Sequence, residues 1–432
     1  MKKNVFVLGL EDYNLNILRH LPGASQFEFH ALLQYSEIRS SGPLDIEALL
    51  SQCRSRLSVF EGSVDAIIGY FDFPVTVMLP LLRREYGLPS PSLESVLQCE
   101  HKYWSRLVQS EVIPEHIPLF EAFDPFEDEQ ISGLPLMFPY WIKPIKSFRS
   151  YLAFRINDEE DIAASISEIR RDINRISEPF NYFLEHADLP EEITAIGGRS
   201  CIAESLLSGS QCTLEGYVFN GEVTVYGVVD SVRETDRSSF SRYEYPSRLP
   251  HWVQEKMIEV TKKVLERIGF DNSPFNIEFF FNQTEGQVYL LEINPRISQS
   301  HAEMFEKVNG MSHHEVAIDI GLGKEPYYPL GKGEFTVAGK FMLRHFEDAV
   351  VTRVPSKEEL DDIAAEIPGT SVDLLVKEGT RLSELRNQDS YSYELADIYL
   401  GASEPNELIE RYQWVQEHLE FRFAPGQEAY GL

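Results

Sequence analysis

The chain has 432 residues, enough for roughly three domains at ~100–200 residues each. Thirty-nine lysines and arginines against 69 aspartates and glutamates leave a formal net charge of −30. That balance argues against a protein that neutralises nucleic-acid phosphates and against one held on anionic lipid by a basic patch. With 43% hydrophobic residues the chain is expected to bury several cores rather than stay disordered.

Lys2 and Lys3 precede the apolar run Val5–Gly9. The run is broken at Glu11 and Asp12 without a small-residue cleavage site, so it reads as a first strand rather than a leader. No stretch reaches the ~18 uninterrupted apolar residues of a membrane span. Asp65–Tyr70 is expected as a second strand. Leu44–Leu57 has helical spacing, and Val75–Leu82 leads into a helix closed by Gly87. This alternation over residues 1–95 predicts a small parallel α/β domain. Cys53, Cys99, Cys201 and Cys212 form no CxxC pair and read as reduced, buried thiols of a cytoplasmic protein.

Ile162, Ile166, Ile169, Ile173 and Ile176 recur at helical spacing and predict one apolar helix face, N-capped by Asp158 and stopped by Pro179. Thr213–Phe219 and Glu222–Val229 flank Asn220-Gly221, a two-residue hairpin turn. Residues 252–268 predict an amphipathic helix ended by Gly269. A new compositional region begins at Gly331-Lys332-Gly333. From Ser356 to Leu432 it carries 17 acidic and 6 basic residues.

Asn276–Phe281 and Gln287–Asn294 are expected as strands of opposite direction joined by the turn Asn282–Gly286. A symmetric pairing sets Phe280 opposite Leu290 and Glu278 opposite Glu292. Period two then places Glu278, Glu292 and Asn294 on one face. Carboxylates whose Cβ atoms are about 5 Å apart repel, and Phe279, Phe281 and Leu291 would partly desolvate them. A divalent cation would remove that repulsion. Two carboxylates and an amide oxygen are hard ligands suited to Mg²⁺, with Mn²⁺ as the alternative. Past Pro295, Arg296 is placed to clamp a phosphate or carboxylate bidentately. On residue chemistry alone, a solvated hairpin with Arg296 pairing one of the acids is the alternative reading.

The run Asn276-Ile277-Glu278 through Leu291-Glu292-Ile293-Asn294-Pro295-Arg296 resembles the metal-binding signature of the ATP-grasp superfamily, in a layout similar to biotin carboxylase-like and amino-acid ligase-like enzymes. The resemblance implies an α/β and α+β multidomain fold. Its parts would be a parallel α/β pre-ATP-grasp domain at 1–98, a two-part ATP-grasp domain at 99–330 with a nucleotide lid at about 135–210, and an α+β domain at 331–432. His101-Lys102-Tyr103-Trp104-Ser105-Arg106, followed by Val112-Ile113-Pro114, is similar to the lysine-bearing helix that opens such a domain. Tyr140-Trp141-Ile142-Lys143-Pro144 is similar to its second lysine strand. Lys102 and Lys143 would then neutralise ATP phosphates. Ala203-Glu204-Ser205-Leu206-Leu207 resembles the adenine-reading hinge, with Glu204 and the backbone of Ser205 and Leu207 on the base edge. Gln211 stands where relatives place an acid for the ribose hydroxyls.

Two departures from the family pattern follow. The segment Pro144–Tyr151 lacks the glycines of a phosphate-covering loop. Ser147 and Ser150 hydroxyls and the charge of Lys146 or Arg149 would stand in, or the loop closes differently. After Arg296, Ile297-Ser298-Gln299-Ser300-His301 replaces paired glycines, which implies a smaller or more polar acceptor pocket touched by Ser298 and His301. Arg233 is a candidate to orient a substrate carboxylate. His313 and His314 open a helical segment through Ile320. Gly339–Arg344, Pro368-Gly369 and Tyr399–Ser403, before a helix through Arg411, resemble the C-terminal domain of biotin carboxylase-like enzymes.

The activity implied is an ATP- and Mg²⁺-dependent ligase joining a small carboxylate to a small amine through an acyl phosphate, with Lys102, Lys143 and Arg296 stabilising charge. Two alternatives stay open: a carboxylase that activates bicarbonate, with any biotin on another chain, and a nucleotide-binding module that has lost catalysis. The expected partners are small molecules, not nucleic acid or membrane, and a homodimer is left open.

Overall fold

Val5, Val7 and Leu8 have no exposed surface because their strand, Lys3–Leu10, runs between two others. It pairs in parallel with Phe27–Gln34 on one side and Ala66–Ile68 on the other, the parallel α/β sheet expected from the alternation. The computed structural model describes residues 2–39, 44–147, 151–233, 239–385 and 392–425. Helix Ile46–Ser58 is capped by the Asp45 side chain on the Ala48 N–H. Helix Val75–Glu85 ends as expected, with Gly87 at φ +63° and the Leu88 N–H returning to the Arg83 carbonyl. Ile297 and Ile318 pack into the same core as Val5, Val7 and Ile68. The residues just past Arg296 are thereby fixed on the N-terminal sheet.

A second, antiparallel sheet has the order Phe120–Phe123, Cys201–Ser205, Tyr140–Pro144, Phe154–Ile156. Helix Glu159–Asp172 covers it with Ile166 and Ile169, joined by Ile173 just past its end, against Ile142, Ile156 and Ala203. Asp158 is its N-cap, accepting from the Glu160 and Asp161 N–H groups. Pro179 does not stop this helix. The helix ends at Asp172, and Pro179 lies inside a second one, Asn174–Leu184. There, in mid-helix, it forfeits one backbone hydrogen bond, and burial of Ile176, Phe180 and Phe183 outweighs that loss.

The chain divides into two compact units. The first comprises residues 1–226, 250–298 and 314–327, and the second 227–249, 299–313 and 328–432. Strands Ser210–Phe219, Ser273–Asn282 and Gln287–Asn294 of the first unit form an antiparallel ladder with Ser273–Asn282 in the middle. Asn220 and Gly221, at φ +51° and +81°, make the tight turn that leads into strand Glu222–Arg233. Helix His251–Ile268 closes on Gly269 at φ +69°.

In the second unit Val337–His345 pairs with Phe240–Tyr245 and with Tyr393–Ala402, which in turn pairs with Ser371–Leu374. Helix Pro405–His418, longer than expected, packs Leu408 and Val415 on Phe341, Ile398 and Leu400. The four cysteines are buried and none is in a disulfide. Among the described residues no helix is long and apolar enough to cross a membrane.

The Asp158 side chain accepts two backbone N–H groups of the helix it caps, so Asp158→Ala should cost about 1 kcal/mol, read as a lower midpoint in chemical denaturation.

Candidate active site

Strands Ser273–Asn282 and Gln287–Asn294 set Glu278 directly opposite Glu292, with Ile277 opposite Ile293 and Asn276 opposite Asn294. The route to that register differs from the symmetric expectation. The turn closes one residue tighter, with Asn282 opposite Gln287, because the Asn282 side chain accepts the Thr284 and Glu285 N–H groups and Gly286 takes φ +66°. Phe280 therefore faces Tyr289, not Leu290. A regular ladder from that turn would put Glu278 opposite Leu291 and send Glu292 to the other face. A bulge at Leu291 absorbs the extra residue and restores the Glu278–Glu292 pair.

The neighbouring strand extends this face. Glu278 lies opposite Thr213, Asn276 opposite Glu215 and Phe280 opposite Gln211. Gln211 Nε2 donates to Glu278 Oε2 at 2.8 Å, and Asn294 Nδ2 to Glu278 Oε1 at 3.4 Å and to Asn276 Oδ1 at 3.2 Å. Fully buried Glu215 accepts from Asn276 Nδ2 at 2.6 Å and from the Ser298 N–H at 3.2 Å. Gln211 is thus turned to the carboxylate pair, through the amide it has in place of an acid. Glu215 is a site acid that the sequence reading missed, although its two-residue spacing from Thr213 and four-residue spacing from Gln211 mark it as facing the same way.

Cations meet this face from three elements. Lys102, the first residue of helix Lys102–Val112, donates to Glu292 Oε1 at 2.8 Å and to the Ser147 carbonyl at 3.1 Å. Lys143 pairs with Glu204 Oε2 at 2.5 Å. Arg296 Nε holds Asp72 Oδ1 at 2.7 Å. Lys102, Lys143, Glu204 and Glu292 line one small cleft.

Several expected contacts are already committed elsewhere. The Glu204 carboxylate is buried between Lys143 and Arg106 rather than turned outward to a base edge. The Ser205 N–H donates to the Leu119 carbonyl. Leu207 follows outside the strand. Lys146 is buried against Glu100, so its charge is not at the loop surface. Ser147 offers its carbonyl to Lys102, and Arg149 and Ser150 lie outside the described residues. Ser298 belongs to the first unit, Arg233 and His301 to the second. Arg233 is exposed with its guanidinium 4.3 Å from the Phe240 ring, and His301 is buried edge-on to Tyr243.

The opposed acids differ in charge state. Burial, and then the charge of Glu292, push Glu278 up to about 7. Burial acts the same way on Glu292, but Lys102 and Lys143 outweigh it and hold this carboxyl below its ordinary value. Glu204 is held at about 2, because Arg106 and Lys143 override its burial. Among the described residues no three His, Cys, Asp or Glu side chains cluster to hold a metal alone. The expected set is two acids plus Asn294, whose Nδ2 donates and whose Oδ1 is the atom it would offer. A carboxylate pair that stays fully charged only with help fits a divalent cation with oxygen ligands.

Because the folded-state pKa of Glu278 is raised, the native chain holds a proton that the unfolded chain releases between about pH 4.5 and 7. The stability of the metal-free protein should therefore fall as pH rises through that window. Glu278→Gln should flatten this fall, read as melting temperature against pH.

Residues 136–303 match the ATP-grasp domain model. The fold is similar to that of the L-amino acid ligase from Bacillus licheniformis, with a TM-score of 0.74 over 98% of this chain and 99% of that one, at 15% identity. It is also similar to biotin carboxylase from Campylobacter jejuni, with a TM-score of 0.65 over 98% and 93% of the chains, at 13% identity. At such identities the likeness is one of fold. The carbamoyl phosphate synthase large chain of Xanthomonas axonopodis pv. citri is 31% identical over 104 residues, 23% of this chain but only 9% of that protein. The chain carries an ATP-grasp domain at residues 136–303, and its fold as a whole is like that of the L-amino acid ligase.

Proposed function

We propose that this protein is an ATP-dependent ligase that joins a carboxylate to an amine. The observation that carries the reading is the Glu278–Glu292 pair, whose Glu292 lines one cleft together with Lys102 and Lys143. Paired acids call for a divalent cation, and the adjacent lysines call for phosphates that share its shell. Glu278, Glu292 and Asn294 would hold Mg²⁺, or Mn²⁺ in its place, which when bound supplies neutralisation of the β- and γ-phosphate charge. Lys102 and Lys143 would hold the phosphates, and Arg296 would orient the acceptor carboxylate once it exchanges Asp72 for substrate. Leu207 would meet the base edge, and Glu204, Ser205 and Gln211 would reach the nucleotide only by giving up the partners they hold here, with residues about 135–210 as its cover.

The substrate carboxylate oxygen attacks the γ-phosphorus of ATP. ADP departs and an acyl phosphate forms. The amine then attacks the acyl carbon, phosphate leaves with the bonding pair, and the amine proton passes to solvent. Exclusion of water protects the acyl phosphate. The fold likeness to the L-amino acid ligase supports an amino acid on at least one side. The likeness to biotin carboxylase supports a second reading, with bicarbonate as the phosphoryl acceptor.

The test is phosphate release from ATP and Mg²⁺ across a panel of amino-acid pairs, with and without bicarbonate. Release that needs one amino-acid pair supports the ligase. Release that needs bicarbonate alone replaces it with the carboxylase. Glu292→Gln should lower the rate by about 10²-fold or more, and full activity in that variant would sink the metal assignment. Lys143→Met should weaken nucleotide binding, measured by calorimetry, because it removes a phosphate-facing cation.

A further inference from the structure

Arg106 lies on helix Lys102–Val112, one turn after Lys102, with its side chain 3% exposed. A guanidinium this deep is costly unless its donors are satisfied. Here Nε donates to Glu204 Oε1 at 2.7 Å, Nη1 to Gln109 Oε1 and to the Leu290 carbonyl at 3.1 Å, and Nη2 to the Leu291 carbonyl at 2.7 Å. The two carbonyls belong to the bulge that sets the register of the carboxylate hairpin. The bulged residue interrupts the ladder there, and the planar fork of an arginine supplies parallel donors to both carbonyls in a way that a lysine cannot. The other arm of the fork reaches Glu204, whose second oxygen holds Lys143.

We propose that Arg106 is the positioning residue of this site: it clamps the Leu291 bulge that brings Glu292 opposite Glu278, and through Glu204 it orients Lys143. The proposal rests on the reading of Glu278 and Glu292 as metal ligands and of Lys143 as a phosphate ligand. Arg106 hydrogen-bonds to none of the three. It joins the two halves of the site, so that the strand presenting the acids and the lysine facing the phosphates are held by one side chain. Releasing the bulge would let the ladder slip to its regular register and turn Glu292 to the opposite face.

Mn²⁺ is the probe, titrated into the full chain by electron paramagnetic resonance, with affinity for a non-hydrolysable ATP analogue measured in parallel. Arg106→Met is expected to bind Mn²⁺ about 10–100-fold more weakly and to bind the nucleotide more weakly as well. Arg106→Lys keeps a cation for Glu204 but lacks the fork, so nucleotide affinity should stay near wild type while Mn²⁺ affinity falls. That split is one a general loss of stability would not produce. Should Arg106→Met fail to fold, Arg106→Lys decides alone. Wild-type Mn²⁺ affinity in a folded Arg106 variant, with Glu292→Gln losing it, overturns the positioning role and leaves the metal reading standing. Mn²⁺ affinity unmoved by Glu292→Gln overturns the metal reading and this proposal with it.

Discussion

The rest of the site is organised around one repulsion. Glu278 and Glu292 face each other across neighbouring strands of a half-buried hairpin. Two full charges about 5 Å apart in an effective dielectric of about 20 would cost roughly 3 kcal/mol. The protein answers on each side differently. Glu292 receives a lysine and stays charged, while Glu278 receives two side-chain amides and is pushed towards its protonated form. The asymmetry leaves the pair intact without metal yet short of one full positive charge, a deficit that a divalent cation would fill.

The cations around this pair each hold an acid in turn: Lys102 with Glu292, Arg106 and Lys143 with Glu204, Lys146 with Glu100, Arg296 with Asp72. The pairs of Glu204 and Glu100 are withdrawn from solvent, where breaking one side leaves an uncompensated charge. An arriving triphosphate would compete for lysines whose acids are already in place. Recognition then depends on exchange of partners within a few ångströms. The chain's net charge of −30 does not oppose it at range, since fields beyond about 8 Å are screened in physiological salt.

The two lysine-bearing elements are held by different means. Lys143 sits on a strand hydrogen-bonded along its length to Cys201–Ser205, so its position follows from the sheet. Lys102 begins a helix whose N-cap is the His101 side chain, and its own N–H donates to the Ile145 carbonyl. The segment 144–147 is tied at Ile145, Lys146 and Ser147. Without glycines, this stretch is held by the backbone carbonyls of Ile145 and Ser147 and by the Lys146 side chain.

Local patterns in the sequence determined the first parallel strands, the Asn220-Gly221 turn, the Asp158 cap and the alternation that aligns Glu278, Glu292 and Asn294, because each depends on a few neighbouring residues and a fixed period. The placement of Pro179 was not legible, since a proline reads as a stop unless the packing of Ile176, Phe180 and Phe183 around it is known. The bulge at Leu291 was equally hidden. Two errors, a turn one residue too long and a ladder without a bulge, cancelled to leave the right acids opposite. What only the tertiary structure decided is who neutralises whom. Glu204 belongs to Arg106 and Lys143, Glu215 to Asn276 and the Ser298 backbone, and Arg296 to Asp72, pairings over long sequence separations whose geometry is set by packing. Charge partners are chosen by distance and burial, and neither is written in the order of residues along the chain.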